Sequence, residues 1–343
     1  MTGRWKMRGR MSGKHNMNAT RIPGARILGM ALAAGLATVS LTAVAQYPSR
    51  PVRLIVPFPA GGPADALARI LSPGMSESLG QQVVIDNRVG ANGNVGAEFV
   101  AHAAPDGHTL MMVVSSFATN HHLYSKLPFD PVNDFTALSL LTRAPFILVV
   151  HPSLPVRNVR ELVNLARARP GELNYGAAGN GAGGHLAMEL FKSMAKVDIV
   201  TVIYKGGASA ITELIGGQTQ LTVNNPIVLL QHVKSGRLRA IAVTSLKRLP
   251  AVPDLPTVDE SGIKGFEASL WYGMVAPARL PAAIATRLNT EFIRAVQQPA
   301  MRERLTGEGV EVVGSTPQMF AEHVQNESAK WSKVIRDAKI RLE

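Results

Sequence analysis

Hydrophobic positions fall into short apolar runs that alternate with amphipathic helical stretches. Val52–Val56 reads as a buried strand, followed by the loop Pro57–Pro63 and a helix from Asp65 to Leu79. Pro73-Gly74 lies inside that helix and predicts a kink or a split there. Val83–Asp86 and His108–Val114 read as strands around a helix at Asn94–Ala103. Phe146–His151 is a strand stopped by Pro152, and Asn158–Arg169 a helix with Leu162, Leu165 and Ala166 on one face. Strands at Leu173–Tyr175, Ile199–Tyr204, Gln220–Val223 and Leu238–Thr244 then alternate with helices at His185–Ala195, Ala208–Ile215 and Pro226–Lys234. Trp271–Ala276 is a strand and Ala282–Gln297 a helix; the last helix opens at Thr316-Pro317 and runs to Ala338. This alternation predicts an α/β protein with mainly parallel sheets flanked by helices. The pattern is too long for one sheet, which predicts two related lobes.

Composition adds limits. Hydrophobic residues make up 46% and charged residues 17%, enough apolar material for a substantial core. The net charge of +12 is unevenly placed: seven of the 36 basic residues fall in residues 1–45, which hold no acid, leaving 29 against 24 acidic residues. That remainder is ordinary and carries no nucleic-acid signal. The chain has no cysteine, which excludes disulfides, cysteine zinc sites, iron–sulfur clusters, a thiol nucleophile and a lipid anchor on cysteine.

Ile27–Ala45 is apolar, follows the basic start, and ends in Ala43-Val44-Ala45, the small-x-small pattern of a signal-peptidase site. It approaches the length of a membrane helix, but its alanine, glycine and threonine make it weakly hydrophobic. Export to the periplasm with cleavage after Ala45 is therefore expected, rather than a retained anchor. Met17 would begin a signal peptide of ordinary length, so residues 1–16 read as an over-extended start.

Three glycine-rich strand-to-helix loops carry the candidate chemistry. The first is Pro57–Asp65, with Phe58, Gly61 and Gly62; the second is Gly176–Gly184, with Ala178, Gly179, Gly181 and Ala182. The third, Lys205–Ser209, follows a strand that ends in Tyr204. A helix start has unpaired N–H groups and partial positive charge, so such loops can hold a carboxylate or phosphate. Taken singly, each loop reads equally well as a tight turn. Together at one end of the strands they mark a binding crevice. Phe58 would shelter the apolar part of a ligand or belong to the core.

Other strand ends add polar groups. Ser115, Ser116 and Asn120 follow one strand and Asn224 another; each suits a polar ligand or local capping. His185, after the second loop, would cap it or touch a ligand. Gly179-x-Gly181-x-x-Gly184 matches a dinucleotide fingerprint, yet Asp198 precedes the next strand instead of ending it, so no nucleotide cofactor is expected. No P-loop lysine or Gly-x-Ser-x-Gly elbow is present. The His121-His122 pair lacks partners at ligand spacing and reads as loop surface, so no metal is expected.

Pro57-Phe58-Pro59-x-Gly61-Gly62-x-x-Asp65-x-x-Ala68-Arg69 resembles the signature of the Bug family, the extracytoplasmic substrate-binding proteins of tripartite tricarboxylate transporters. Further matches are Asp86-Asn87-Arg88-x-Gly90-Ala91-x-Gly93-Asn94-x-Gly96, Ala104-Pro105-Asp106-Gly107, Leu173-Asn174-Tyr175-Gly176, Tyr204-Lys205-Gly206, Leu238–Thr244 and Trp271-Tyr272-Gly273. The resemblance spans residues 47–343. It implies the two-lobed type II periplasmic-binding fold, with residues 46–145 and 272–343 in one lobe, 146–271 in the other, and crossovers near Phe146–His151 and Trp271–Ala276. It also implies a monomer that performs no chemistry, binds a small organic carboxylate between its lobes, and delivers it to integral-membrane transporter components. A ligand-presenting sensor, or an enzyme on the same scaffold, are the competing classes. The resemblance places serine near 177 and 182 and aspartate at 224, where this chain has Ala177, Ala182 and Asn224.

Overall fold

The computed structural model describes residues 47–342; the expected signal peptide and cleavage site lie outside the described residues. Two sheets organise the chain. The first has the order β11-β4-β10-β3-β1-β2, formed by β1 (Val52–Val56), β2 (Val83–Asn87), β3 (Thr109–Val114), β4 (Phe135–Pro145), β10 (Ser269–Pro277) and β11 (Glu311–Val312). The second has the order β7-β6-β8-β5-β9, formed by β5 (Ile147–Val150), β6 (Asn174–Ala177), β7 (Val200–Ile203), β8 (Leu221–Asn224) and β9 (Arg239–Val243).

Both sheets are mixed. β1 runs parallel to β2 and β3, and β6 parallel to β7 and β8. β10 is antiparallel to β3 and β4, and β5 antiparallel to β8 and β9. β11 is likewise antiparallel to β4. Between the sheets, β4 passes into β5 through Phe146 alone, and β10 brings the chain back.

Strand alternation explains the layers. On β1, Val52, Leu54 and Val56 face Leu67, Leu71 and Met75 of α1 (Pro63–Leu79) and Leu288 and Phe292 of α8 (Ala282–Gln297). Ile55 points the other way, into a core with Ala97 and Val100 of α2 (Asn94–Ala101), Trp271, and Phe320 of α10 (Pro317–Asp337). The second sheet repeats this plan. Leu148 and Val150 pack with Leu162 of α4 (Val159–Ala168) and Leu186 and Phe191 of α5 (Gly183–Ala195). Ile147 and Val149 pack with Ile211 and Leu214 of α6 (Gly207–Ile215) and Leu229 of α7 (Pro226–Lys234).

One expectation changes, and two elements appear that the sequence pattern does not predict, β4 and the helix after α8. α1 is one helix, not split at Pro73. Proline cannot donate to the Arg69 carbonyl one turn back, and the Ser72 hydroxyl donates to that carbonyl instead, at 3.3 Å. β4 carries no clean alternation because it is interior to its sheet and buries Ser139 and Thr142; the Ser139 hydroxyl donates to the Ser315 carbonyl at 2.9 Å. α9 (Pro299–Gly307) buries only Leu305, too little for a visible apolar stripe.

The last helix spans both lobes. Phe320 near its start lies over Gly273 in the first sheet, while Trp331, Val334 and Ile335 belong to the second lobe's core. Lys330 joins Glu327 (2.6 Å) to Glu267 (2.9 Å), just ahead of β10. Among the described residues, no helix is long and apolar enough to cross a membrane.

Candidate functional site

The first glycine loop turns its donors inward. The Gly61 N–H donates to the Asp65 carboxylate at 2.9 Å, and the Gly62 N–H to the Pro59 carbonyl at 3.1 Å. Asp65 is buried and also accepts from Arg69 Nε (2.8 Å) and Asn87 Nδ2 (2.9 Å). The Arg69 hydrogen bond, against the opposing effect of burial, holds the Asp65 carboxyl at about 2. The first turn of α1 still offers the Ala64 and Asp65 N–H groups, which a helix leaves without a partner one turn back.

Asn120, at the start of the short α3 (Asn120–Leu123), is engaged inside the first lobe. Its Nδ2 donates to Asn94 Oδ1 at 2.5 Å and to the Asn92 carbonyl at 3.1 Å, and its Oδ1 accepts from Asn92 Nδ2 at 2.9 Å. These bonds hold a left-handed run in which Ala91 has φ 44° and Asn92 φ 55°. The Ser116 hydroxyl donates to the Asn92 carbonyl at 3.2 Å. Phe58, whose carbonyl accepts from Asn87, lines a small cavity with Asn92, Asn94, Ser116 and Asn120.

A second cavity lies between the lobes. Ser115, Ser116 and Thr119 wall one side, Gly181, Gly183 and Leu186 the other, and Ser269 and Trp331 complete it. Its volume is about 10 Å3, room for roughly one water. None of its lining residues is charged. A Cβ on Gly183 would sit 3.6 Å from Ser115 Oγ, so the Ser115 hydroxyl of one lobe approaches the start of α5 in the other. Of the residues singled out from sequence, Ser115, Ser116 and Gly181 line this cavity. Thr119, Gly183 and Leu186 join from the flanking motifs. Ser269 and Trp331 had no local signal, because the crossover and the last helix bring them in.

Loops two and three lean on each other through the Gly206 N–H, which donates to the Ala178 carbonyl at 2.9 Å. Gly179 accepts from the Ala182 N–H at 3.3 Å, closing loop two ahead of α5. Gly181 adopts φ 69°, and its N–H donates to His185 Nδ1 at 3.0 Å, so His185 faces its own loop. The Tyr204 N–H donates to the Ala177 carbonyl at 2.9 Å, and burial raises its phenol. Asn224 Oδ1 accepts from the Asn225 N–H at 2.8 Å. Its Nδ2 is buried beside Gly207, at the start of α6, without a protein hydrogen-bond partner.

His121 and His122 are not loop surface. Their ring centroids lie 3.8 Å apart on α3, and their Nε2 atoms reach Ser328 Oγ of α10 at 3.0 and 2.9 Å.

Comparison with known proteins agrees with this architecture. The family model for the tripartite tricarboxylate transporter family receptor matches residues 67–340. BugT of Bordetella pertussis is 34% identical over 328 residues, covering 95% of this chain and all of that protein. The structure of R. palustris Rpa4515 with adipate is 40% identical, with a TM-score of 0.77 over 86% of this chain and 99% of that one. MatC from Rhodopseudomonas palustris with bound malate is 34% identical, with a TM-score of 0.71 over 84% of this chain and 100% of that one. The chain belongs to the tripartite tricarboxylate transporter receptor family, the family that includes the Bug proteins.

Proposed function

We propose that this protein captures a small organic carboxylate between its lobes and delivers it to a membrane transporter without chemical change. The observation that carries this reading is the interlobe cavity. The Ser115 hydroxyl faces the start of α5, Ser116 and Thr119 complete the same wall, and no acidic side chain lines the space. Hydroxyl and N–H donors suit a carboxylate, and an uncharged wall spares it repulsion. The adipate and malate bound by Rpa4515 and MatC support the same ligand class.

Binding proceeds by opening and closure. A space of about 10 Å3 is too small for a diacid, so the lobes part to admit the ligand. Closure then brings the Ser115–Asn120 segment and the second loop onto the ligand from opposite sides. The ligand stabilises whichever state it contacts more fully. The lobes divide near residues 145/146 and at the start of β10, with α10 serving both. Gly61, Gly62, Ala178, Gly179, Ala182, Tyr204 and Asn224 do not line this small cavity and enter the reading as strand-end positions that the parted lobes offer to a ligand.

Export with cleavage after Ala45 belongs to the same reading, as does action as a monomer. Mass spectrometry of ligand released from denatured protein, paired with a thermal-shift screen of organic acids, tests the function. Release of a carboxylate unchanged after incubation is expected. A turned-over product, or stabilisation by none of the acids, would overturn it.

A further inference from the structure

Beyond the glycine loops, the second lobe carries a chain of side chains that ends at the cleft wall. We infer that His185 is a positioning residue that sets the shape of the ligand-facing second loop; this rests on the carboxylate-binding reading above. His185 is buried at the third position of α5. Its Nδ1 lies 3.0 Å from the Gly181 nitrogen, so Nδ1 accepts and carries no proton. The remaining proton is on Nε2, which faces Glu189 Oε1 at 3.7 Å, one turn further along the helix. Glu189 Oε1 is itself held by Lys192 Nζ and by the Thr201 hydroxyl, each at 2.8 Å.

That arrangement selects one tautomer. Burial works to raise the Glu189 carboxyl, but the contacts from His185, Lys192 and Thr201 outweigh it and hold the group ionised. An ionised carboxylate beside Nε2 favours the proton there, which leaves Nδ1 bare for Gly181. Gly181 sits at φ 69°, and a Cβ there would collide with Leu123, so the position takes glycine, and the flexible backbone this leaves is held by the bond to His185. The same glycine lines the interlobe cavity, so the side chain that fixes its peptide also fixes the wall the ligand meets.

Amide geometry separates this role from bulk packing. Asparagine places its Oδ1 near the position of Nδ1 and can accept from Gly181; glutamine places its oxygen near Nε2 and cannot. The test compares the protein with His185→Gln and His185→Asn, reading Gly181 amide hydrogen exchange by NMR without ligand and adipate affinity by calorimetry. Expected are at least tenfold faster Gly181 exchange and at least tenfold weaker adipate binding in His185→Gln, with both restored in His185→Asn. Unchanged exchange in His185→Gln would overturn the assignment, as would faster exchange with unchanged adipate affinity. Equal loss in both variants would reduce His185 to packing. Should the unaltered protein bind neither adipate nor any other acid, the functional reading fails and the exchange data alone decide what holds Gly181.

Discussion

The Asp65 carboxylate accepts the Gly61 N–H at 2.9 Å, so the first glycine-rich loop is closed by an acid from its own helix. A negative charge already occupies that helix start and offsets its partial positive charge. The lobes line the cavity between them differently: the first with Ser115, Ser116 and Thr119, the second with Gly181, Gly183 and Leu186.

Asp65→Asn should destabilise the protein. Hydrogen bonds to a charged group contribute about 1.5–3 kcal/mol each, and the substitution weakens those to Gly61 and Arg69 together. With its carboxyl held at about 2, Asp65 contributes stability above its ordinary value of 3.8 and loses it as pH falls toward 2. Urea denaturation should show a lower midpoint for the variant at neutral pH and a shallower loss between pH 4 and 2.

The paired histidines predict a second, milder pH dependence. Burial lowers both His121 and His122 below 6.5; His122 lowers His121 further, while the hydrogen bond from Ser328 opposes the shift of His122. Asp130 acts on His121 in the opposite sense, while Arg336, Lys339 and Arg341 share a pocket with His122. Below 6.5 the unfolded chain takes up protons before the folded one, so stability falls as pH drops from that value. Replacing both with glutamine should flatten thermal stability between pH 6.5 and 5, leaving a smaller slope from His323, which burial also lowers. An unchanged slope would show that the pair does not titrate in this range.

Legibility in the sequence followed locality. β1 and its loop were readable because a buried run and a glycine turn are adjacent; the helix, read from Asp65, begins two residues earlier at Pro63. β4 was not, since Ser139 and Thr142 are polar and their burial depends on β10 and β11, far along the chain. Gly61 and Gly181 were visible as glycines that free the backbone, but which N–H groups remain available depends on Asp65 and His185. Trp331 reaches the cleft only because α10 crosses both lobes, a tertiary fact without a local signature.

Asn224 bears on which carboxylate is preferred. Its Oδ1 is committed to the Asn225 N–H, so its Nδ2 is the group presented at the start of α6. A donor there favours an anionic oxygen and gives an ammonium nothing to pair with. Succinate should bind at least tenfold more tightly than aspartate, in line with a charged hydrogen bond of about 1.5–3 kcal/mol. Asn224→Asp should weaken succinate and improve aspartate. Calorimetry on the two ligands with both proteins measures it, and tighter aspartate binding by the unaltered chain would contradict it.

The most direct test of carboxylate capture is calorimetric titration with adipate and, separately, with its dimethyl ester. The two share a carbon chain and differ in the charge of the end groups. Saturable one-to-one binding of adipate, with the ester at least a hundredfold weaker, is the expected result. Binding of the ester as tightly as the acid would contradict it, because the cleft would then be recognising the apolar chain rather than the carboxylate.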